Sequence, residues 1–483
     1  MSYLRSVWTS AAGRMKLLFV LICAVSAVYE VSAYSTISAE SQLVQTVGVD
    51  ASKSVFIAGQ IKMNAARAGA AAAAAFQPGQ VPTDPEPGKK YCDPSRSAAF
   101  IPATQRDFYE LTCKLNNLIG LGYTNVTYET DVVLANGNKT NERASLDQIS
   151  SALSNYNRMV ERAFANRNML NPVDLSYLRA ATEYMTALEI AAQDLVDVND
   201  QALNDQFSSR ETSSKIHLGT LIASGLVLVG LMWYLNSFMK GIFRRRVNGP
   251  IALAAVVVLA MTGWVSYALI SVDRAMTSAK NDSYNSEYHT YSTLADALMM
   301  NTHQTLYLLK RGGDQVYEQR FNDAAGRISN AKPDEMETLI TRFNDQQLDL
   351  VKSVDVSWKG ALGEELRNIT FKGERRAAVD SARWLGNYLR INNQVRQLVQ
   401  SGHQEDAITL FVGTKEGQSG FAFQQVEKSL TRVLTVNDTE FKSSVSRGFG
   451  ALNWLSTGVL ALLLLSAGLT FGGLRSRLAL LKL

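Results

Sequence analysis

The chain has 483 residues, with 48 Lys plus Arg against 44 Asp plus Glu and a formal net charge of +4. That length exceeds one ordinary domain, and so mild a charge gives no electrostatic case for a nucleic-acid partner. Only nine prolines occur, and sustained helical periodicity without β-alternation predicts an all-α fold.

Residues 1–16 are short and basic, with Arg5, Arg14 and Lys16, and 17–34 are apolar. A cleaved signal peptide is the competing reading, because Ala24 to Ala33 offers small residues. The run flows without a break into helical sequence, so it is read as a retained transmembrane helix with a cytoplasmic N-terminus. Residues 35–215 form a first polar segment, expected to be an extracytoplasmic helical bundle. Its first helix is expected to run to Phe76 through the six alanines Ala70 to Ala75, alanine being the best helix former. Pro78, Pro82, Pro85 and Pro87 then break it. A short helix is expected over Thr104 to Ile119, and a turn or small hairpin around Asn136-Gly137. Ser145-Leu-Asp-Gln148 fits a capping box for the next helix. After Asn171-Pro172 the chain has no breaker until Gly219. Cys92 and Cys113 lie in this segment, where a disulfide is expected in an oxidising compartment.

Residues 216–238 and 250–272 carry no Asp, Glu, Lys or Arg, and each is long enough to cross a bilayer as a helix. Between them 239–249 is a basic turn with Arg244, Arg245 and Arg246, which the positive-inside tendency places in the cytoplasm. Those arginines can meet a cytosolic partner or anionic lipid, or merely fix topology. Residues 273–447 form the second polar segment, expected as a second bundle. It is punctuated at Gly312-Gly313, Pro333, Gly373 and Ser401-Gly402, with helices expected over Glu374 to Gln400 and Gln404 to Val412. A fourth span, 448–474, and a basic tail, 475–483, follow. The expected location is the cell's inner (plasma) membrane, multi-pass, with both termini cytoplasmic.

The two halves read as a tandem repeat. At an offset of 238, Leu188, Leu195 and Val198 fall on Val426, Val433 and Val436, and Val198-Asn199-Asp200 falls on Val436-Asn437-Asp438. Those apolar steps are the seam of a helix bundle.

No phosphate loop, nucleophile elbow, kinase motif set or zinc-protease motif occurs, so an enzyme is not expected. The four histidines offer no metal cluster, and neither metal nor cofactor is expected. The spans lack central ionisable groups, which argues against a transporter acting alone. Asn301 and Thr305 fall near the seam of Leu294, Leu298 and Leu308, where a polar layer either binds a ligand or fixes register. Arg67, Arg375, Arg376 and Arg383 can clamp a carboxylate or serve as a solvated face.

The stretch from Tyr388 to His403, then Glu405 to Phe411 and Leu430 to Asn437, resembles the four-helix-bundle sensor domain of bacterial chemoreceptors and histidine kinases. Asn155 to Ala165 and Leu178 to Asn199 are its counterpart in the first half. Unlike in that family, no cytoplasmic output module is expected. The plan is similar to that of actinobacterial membrane sensors that work with a glutamine- or aspartate-binding lipoprotein and a cytosolic Ser/Thr kinase. The resemblance implies a non-enzymatic sensor that relays an outside signal to a separate cytosolic signalling protein. An extracytoplasmic solute-binding protein and homo-oligomerisation are further expectations. The rival reading is a structural or accessory scaffold subunit of a cell-envelope complex, with a transport accessory as a third.

Overall fold

The computed structural model describes residues 11–77, 84–85, 90–92, 101–126, 130–134, 137–167, 173–243, 247–312 and 315–479. The turn arginines Arg244, Arg245 and Arg246 lie outside them, as do Asn136 and Asn171-Pro172. The described chain is all-α apart from one two-stranded ladder, and it divides into two compact units.

The first unit holds residues 1–49, 204–278 and 443–483. Its helices are α1 (Ala11–Gln45), the last part of α5 (Val173–Phe243), α6 (Gly249–Thr277) and α15 (Leu455–Leu478). Among the described residues four helices are long and apolar enough to cross a membrane. Their outward faces carry Val20, Val31, Leu226, Val256, Leu259 and Leu464, all exposed, as lipid-facing positions require. Their inner faces use polar contacts between helices. The Tyr29 hydroxyl donates to Thr262 Oγ1 at 3.3 Å, and Asn248 Nδ2 donates to the Gly473 carbonyl at 2.9 Å. Gly225 packs so closely on Thr262 that a methyl group there would collide with it, the small-residue packing expected between membrane helices. The fourth span is not a smooth continuation of α14 (Ser419–Leu452). Trp454 adopts a left-handed backbone, φ 62°, and breaks the helix before α15 begins.

The second unit holds residues 50–203 and 279–442, so both polar segments contribute to one compact body. From the first segment come α2 (Ser52–Ala74), α3 (Ala103–Thr124), α4 (Glu142–Asn166) and the start of α5. From the second come α7 (Asn285–Leu309), α8 (Gln315–Ile328), α9 (Pro333–Thr338), α10 (Asp345–Leu348), α11 (Ala361–Arg367), α12 (Glu374–Gln400), α13 (Gln404–Val412) and most of α14. One hydrophobic core runs through both, from Ile61, Leu115 and Leu188 to Leu298, Leu385 and Val433. The reason lies in α7. Almost every residue from Thr293 to Leu308 is buried, including Asp296, His303, Gln304 and Thr305. A helix covered on all sides needs neighbours on all sides, and α2, α8 and α11 supply them.

Both passages from a span to this unit share a local feature. Thr46–Ala51 follows α1 as a π-helix, and Ser278–Tyr284 follows α6 as another. The first long helix is therefore not uniform α up to Phe76; α2 ends at Ala74. The start of α4 also differs from the capping-box expectation. Asn141 is the N-cap, accepting from the Ala144 amide at 2.8 Å, and Ser145 is buried one turn in, 3.3 Å from Thr140 Oγ1. Asparagine caps at least as well as serine, and it comes first. β1 (Val132–Val133) pairs antiparallel with β2 (Lys139–Thr140), with Gly137 at φ 83° in the turn. Cys92 and Cys113 form a disulfide, with Cα atoms 5.9 Å apart.

Candidate functional site

Two clefts in the second unit bring polar side chains together. Arg67, Asn301 and Thr305, from helices α2 and α7, line a cleft of about 610 Å³ with Glu427 of α14. Arg67 pairs with Glu427 at 3.5 Å. Asn301 Oδ1 accepts from the Tyr388 hydroxyl at 3.3 Å, and the Thr305 hydroxyl donates to the Asn301 carbonyl at 2.8 Å. Arg375, Arg376 and Arg383 do not join them. The Arg375 guanidinium stacks over Phe343 at 4.3 Å, Arg376 reaches Asp345 and Asp349 at 3.3 Å each, and Arg383 stacks over Trp384. In this arrangement Arg375 and Arg376 bind α12 to the segment beside it, while Arg383 packs on its own helix neighbour.

The second cleft, about 450 Å³, opens where α2 and α5 face α7 and α8. Helix spacing builds it. Glu189, Gln193 and Asp197 follow one another at i, i+4 and i+8 on α5, which puts them on one stripe. Lys62 of α2 donates to Gln193 Oε1 at 2.5 Å and to Ser292 Oγ at 3.2 Å. Gln193 passes the contact on, donating from Nε2 to Asp197 Oδ1 at 2.6 Å, and the Tyr288 hydroxyl donates to the same oxygen at 3.3 Å. Across the cleft, Asp296 of α7 takes two hydrogen bonds from Arg327 of α8, at 2.9 and 2.6 Å. Glu189 stands apart, its Oε1 buried without a hydrogen-bond partner. Burial, helped by the negative charge of Asp296, pushes its carboxyl up to about 8. Burial pulls the Lys62 ammonium down. Nearby, burial and then Arg320 and Arg327 push the His303 imidazole down to about 3, so it is neutral.

A third polar cluster is closed rather than open. Glu374, at the start of α12, accepts from the Thr370 and Phe371 amides at 2.8 and 3.0 Å and from Asn437 Nδ2 at 2.7 Å. Ser286 lies 2.9 Å from Glu374 and 2.5 Å from Glu365. Burial and the neighbouring Glu374 push Glu365 far above the usual carboxylate range. A hydroxyl has one proton, so a neutral Glu365 donates to Ser286 and Ser286 donates to Glu374. This chain of buried groups ties α7, α11, α12 and α14 together.

None of Lys62, Glu189, Asp296 or Arg327 stood out in the sequence. Each is a common charged residue on a helix, and their meeting depends on how α7 packs. The available signal was weak: Asp296 interrupts the run Leu294-Ala-Asp-Ala-Leu298, where a buried charge demands a partner.

A family model described as an actinobacterial sensor domain matches residues 128–208, a minor part of the chain. No curated protein and no solved structure matches it. The matched segment includes α4 and the stripe of α5 that bears Glu189, Gln193 and Asp197. The chain is thus a helical protein with a sensor-domain segment and four helices suited to a multi-pass place in a membrane.

Proposed function

We propose that the protein is a non-enzymatic transmembrane sensor that relays an extracytoplasmic signal to a separate cytosolic signalling protein. The observation that carries this reading is α5. It is one helix from Val173 to Phe243, and it contains the end of the sensor-domain match, the charged stripe at the 450 Å³ cleft, and an apolar window long enough to span a bilayer. A ligand, or a liganded solute-binding protein, acts on the helices lining the clefts. A small slide or rotation of packed helices then carries the change along their length. The basic turn with Arg244, Arg245 and Arg246 presents the result to the cytosolic partner while resting on anionic lipid, and the protein works as a homo-oligomer.

The reading is tested by phosphoproteomics and transcript profiling of a strain lacking the gene. The strain is complemented with the wild type or with variants Arg67→Met and Lys62→Met, matched for membrane abundance. The expected result is that deletion changes a defined phosphorylation or transcript set, that the wild type restores it, and that a cleft variant does not. Full restoration by a chain with both clefts altered, or loss of envelope integrity as the only phenotype, would favour the scaffold reading instead.

A further inference from the structure

In the cleft between α2, α5, α7 and α8, two hydrogen-bonding groups remain unfilled. The Lys62 ammonium has three protons. Gln193 and Ser292 take one each, and both acceptors are neutral. Among the described residues no carboxylate lies within ion-pair distance of Lys62, and the third proton has no acceptor. Glu189 Oε1 is the second unfilled group. The other two charges lining the cleft satisfy each other, since Arg327 holds Asp296 through two hydrogen bonds.

We propose that this cleft is a binding site for a small organic monocarboxylate, held by the Lys62 ammonium on one side and by the Glu189 carboxyl on the other. The charge count selects one negative charge. With Arg327 and Asp296 paired and Glu189 neutral, the lining carries one uncompensated positive charge. A buried ammonium without a counter-ion is costly, and an incoming carboxylate removes that cost with a charge-assisted bond. A dianion such as phosphate would leave one negative charge unbalanced beside Asp296. An amine would meet Lys62 and Arg327. The remaining wall, Ala66, Ile190, Ala295 and Met299, suits a short apolar body, with Thr186 as the polar group at one edge. A volume of about 450 Å³ fits a small metabolite. The inference names the ligand chemistry of the proposed sensory unit, and it rests on that reading only for what the bound ligand does.

Proton linkage gives a signature that occupancy alone would not. The charged and titratable groups around Glu189 are Lys62 on α2, Tyr156 on α4, Asp296 on α7, and Arg320 and Arg327 on α8. Its carboxyl titrates at about 8 in the empty site. An anion beside it raises that value further, so binding takes up a proton above pH 8 and the affinity falls about tenfold per pH unit there. A cation would do the reverse.

The experiment is thermal unfolding and titration calorimetry of the full-length protein in detergent. The probes are sodium acetate, butyrate, lactate and benzoate against chloride at equal ionic strength, with inorganic phosphate and ethanolamine as the other arms, at about pH 6.5 and 9. The expected result is that at least one monocarboxylate binds at the lower pH, about tenfold weaker at the higher, and that Lys62→Met loses it. Glu189→Gln is expected to keep binding and to reduce the fall at high pH, because the amide donates a hydrogen bond without titrating; what remains of the fall belongs to the Lys62 ammonium, which burial pulls down. Thr186→Phe narrows the cleft without removing a charge and is expected to weaken binding, which covers the case of a Lys62 variant that does not fold. Absence of binding by every monocarboxylate, equal binding by Lys62→Met, or preference for ethanolamine or phosphate would overturn the proposal. Binding that follows the expected pattern in a strain whose signalling is unchanged by Lys62→Met would contradict the sensory use of the site and leave the site itself standing.

Discussion

At Glu189 burial and Asp296 push the carboxyl up to about 8 from an ordinary 4.5, so the folded protein holds a proton that the unfolded chain has released. The stabilising contribution is complete below about pH 4.5 and is lost as pH rises through about 8. The melting temperature of the full-length protein is therefore expected to fall over that window, and Glu189→Gln to flatten the fall; an unchanged slope in the variant would contradict this. His303 acts with the opposite sign. Its imidazole titrates at about 3 rather than 6.5, so its contribution is present above about pH 6.5 and is lost as pH falls toward 3. His303→Gln is expected to make the acid side of the unfolding curve shallower, measured by the same melts. Neither residue was legible in the sequence as a site. One Glu among several on α5 and one of the two His on α7 read as solvated or core positions, and what perturbs them comes from tertiary packing: burial, then Asp296 and Arg327 for one, Arg320 and Arg327 for the other. Asn301 and Thr305 were legible because helix periodicity placed them near one seam, Arg67 only as one of four arginines able to clamp a carboxylate, and the three do line one cleft. Nothing in the sequence told Arg67 apart from Arg375 and Arg376, whose partners Phe343, Asp345 and Asp349 are set by tertiary packing, or from Arg383, which stacks on its neighbour Trp384.

Among elements, α12 and α13 were readable residue for residue as Glu374–Gln400 and Gln404–Val412, because glycines in left-handed turns, Gly373 and Gly402, bound them. The π-helices at Thr46–Ala51 and Ser278–Tyr284 were not, since an i to i+5 turn leaves the composition of a helix unchanged. The Trp454 break was hidden for a similar reason: nothing in Asn453-Trp454 signals a left-handed residue. Packing between elements yields two stability predictions. Asn199 and Asn437 are both buried, and each donates to the carbonyl four residues back, Leu195 and Val433. Asn437 also serves Glu374 and Ser286. Asn437→Leu is expected to cost about 1–3 kcal/mol, because Glu374 is left buried and short of a donor. Asn199→Leu, which removes only a bond within its own helix, is expected to cost less. Chemical denaturation of the two variants side by side checks the order. The Cys92–Cys113 disulfide joins the chain ahead of α3 to α3 itself, over a separation of 21 residues. Its removal by Cys92→Ser with Cys113→Ser is expected to cost about 3 kcal/mol through the unfolded chain's freedom, read as a lower melting temperature and faster proteolysis near residue 92.

For the whole molecule, composition decided the class early. Four apolar runs, three of them free of Asp, Glu, Lys and Arg, and long polar segments between them pointed to four spanning helices and an all-α fold, and the described residues have four helices long and apolar enough to span and a helical fold. The single core shared by the two polar segments was beyond reach, because each segment alone shows a plausible amphipathic bundle pattern. Only the burial of α7 on every side reveals that it needs helices from the first segment as well as the second. That sharing matters for the proposed function. The clefts are walled by helices from both segments, and a ligand in the 450 Å³ cleft acts on α5 and α7 at once. The most direct measurement of the central claim is in-cell crosslinking of the tagged full-length protein, with affinity purification and mass spectrometry that maps partners to individual lysines. The account predicts crosslinks from Lys240, in the last turn of α5, to a cytosolic kinase or other regulator. It also predicts crosslinks from lysines of the second unit to a solute-binding protein. Recovery of envelope or transport machinery alone, with no regulator at Lys240, would contradict it.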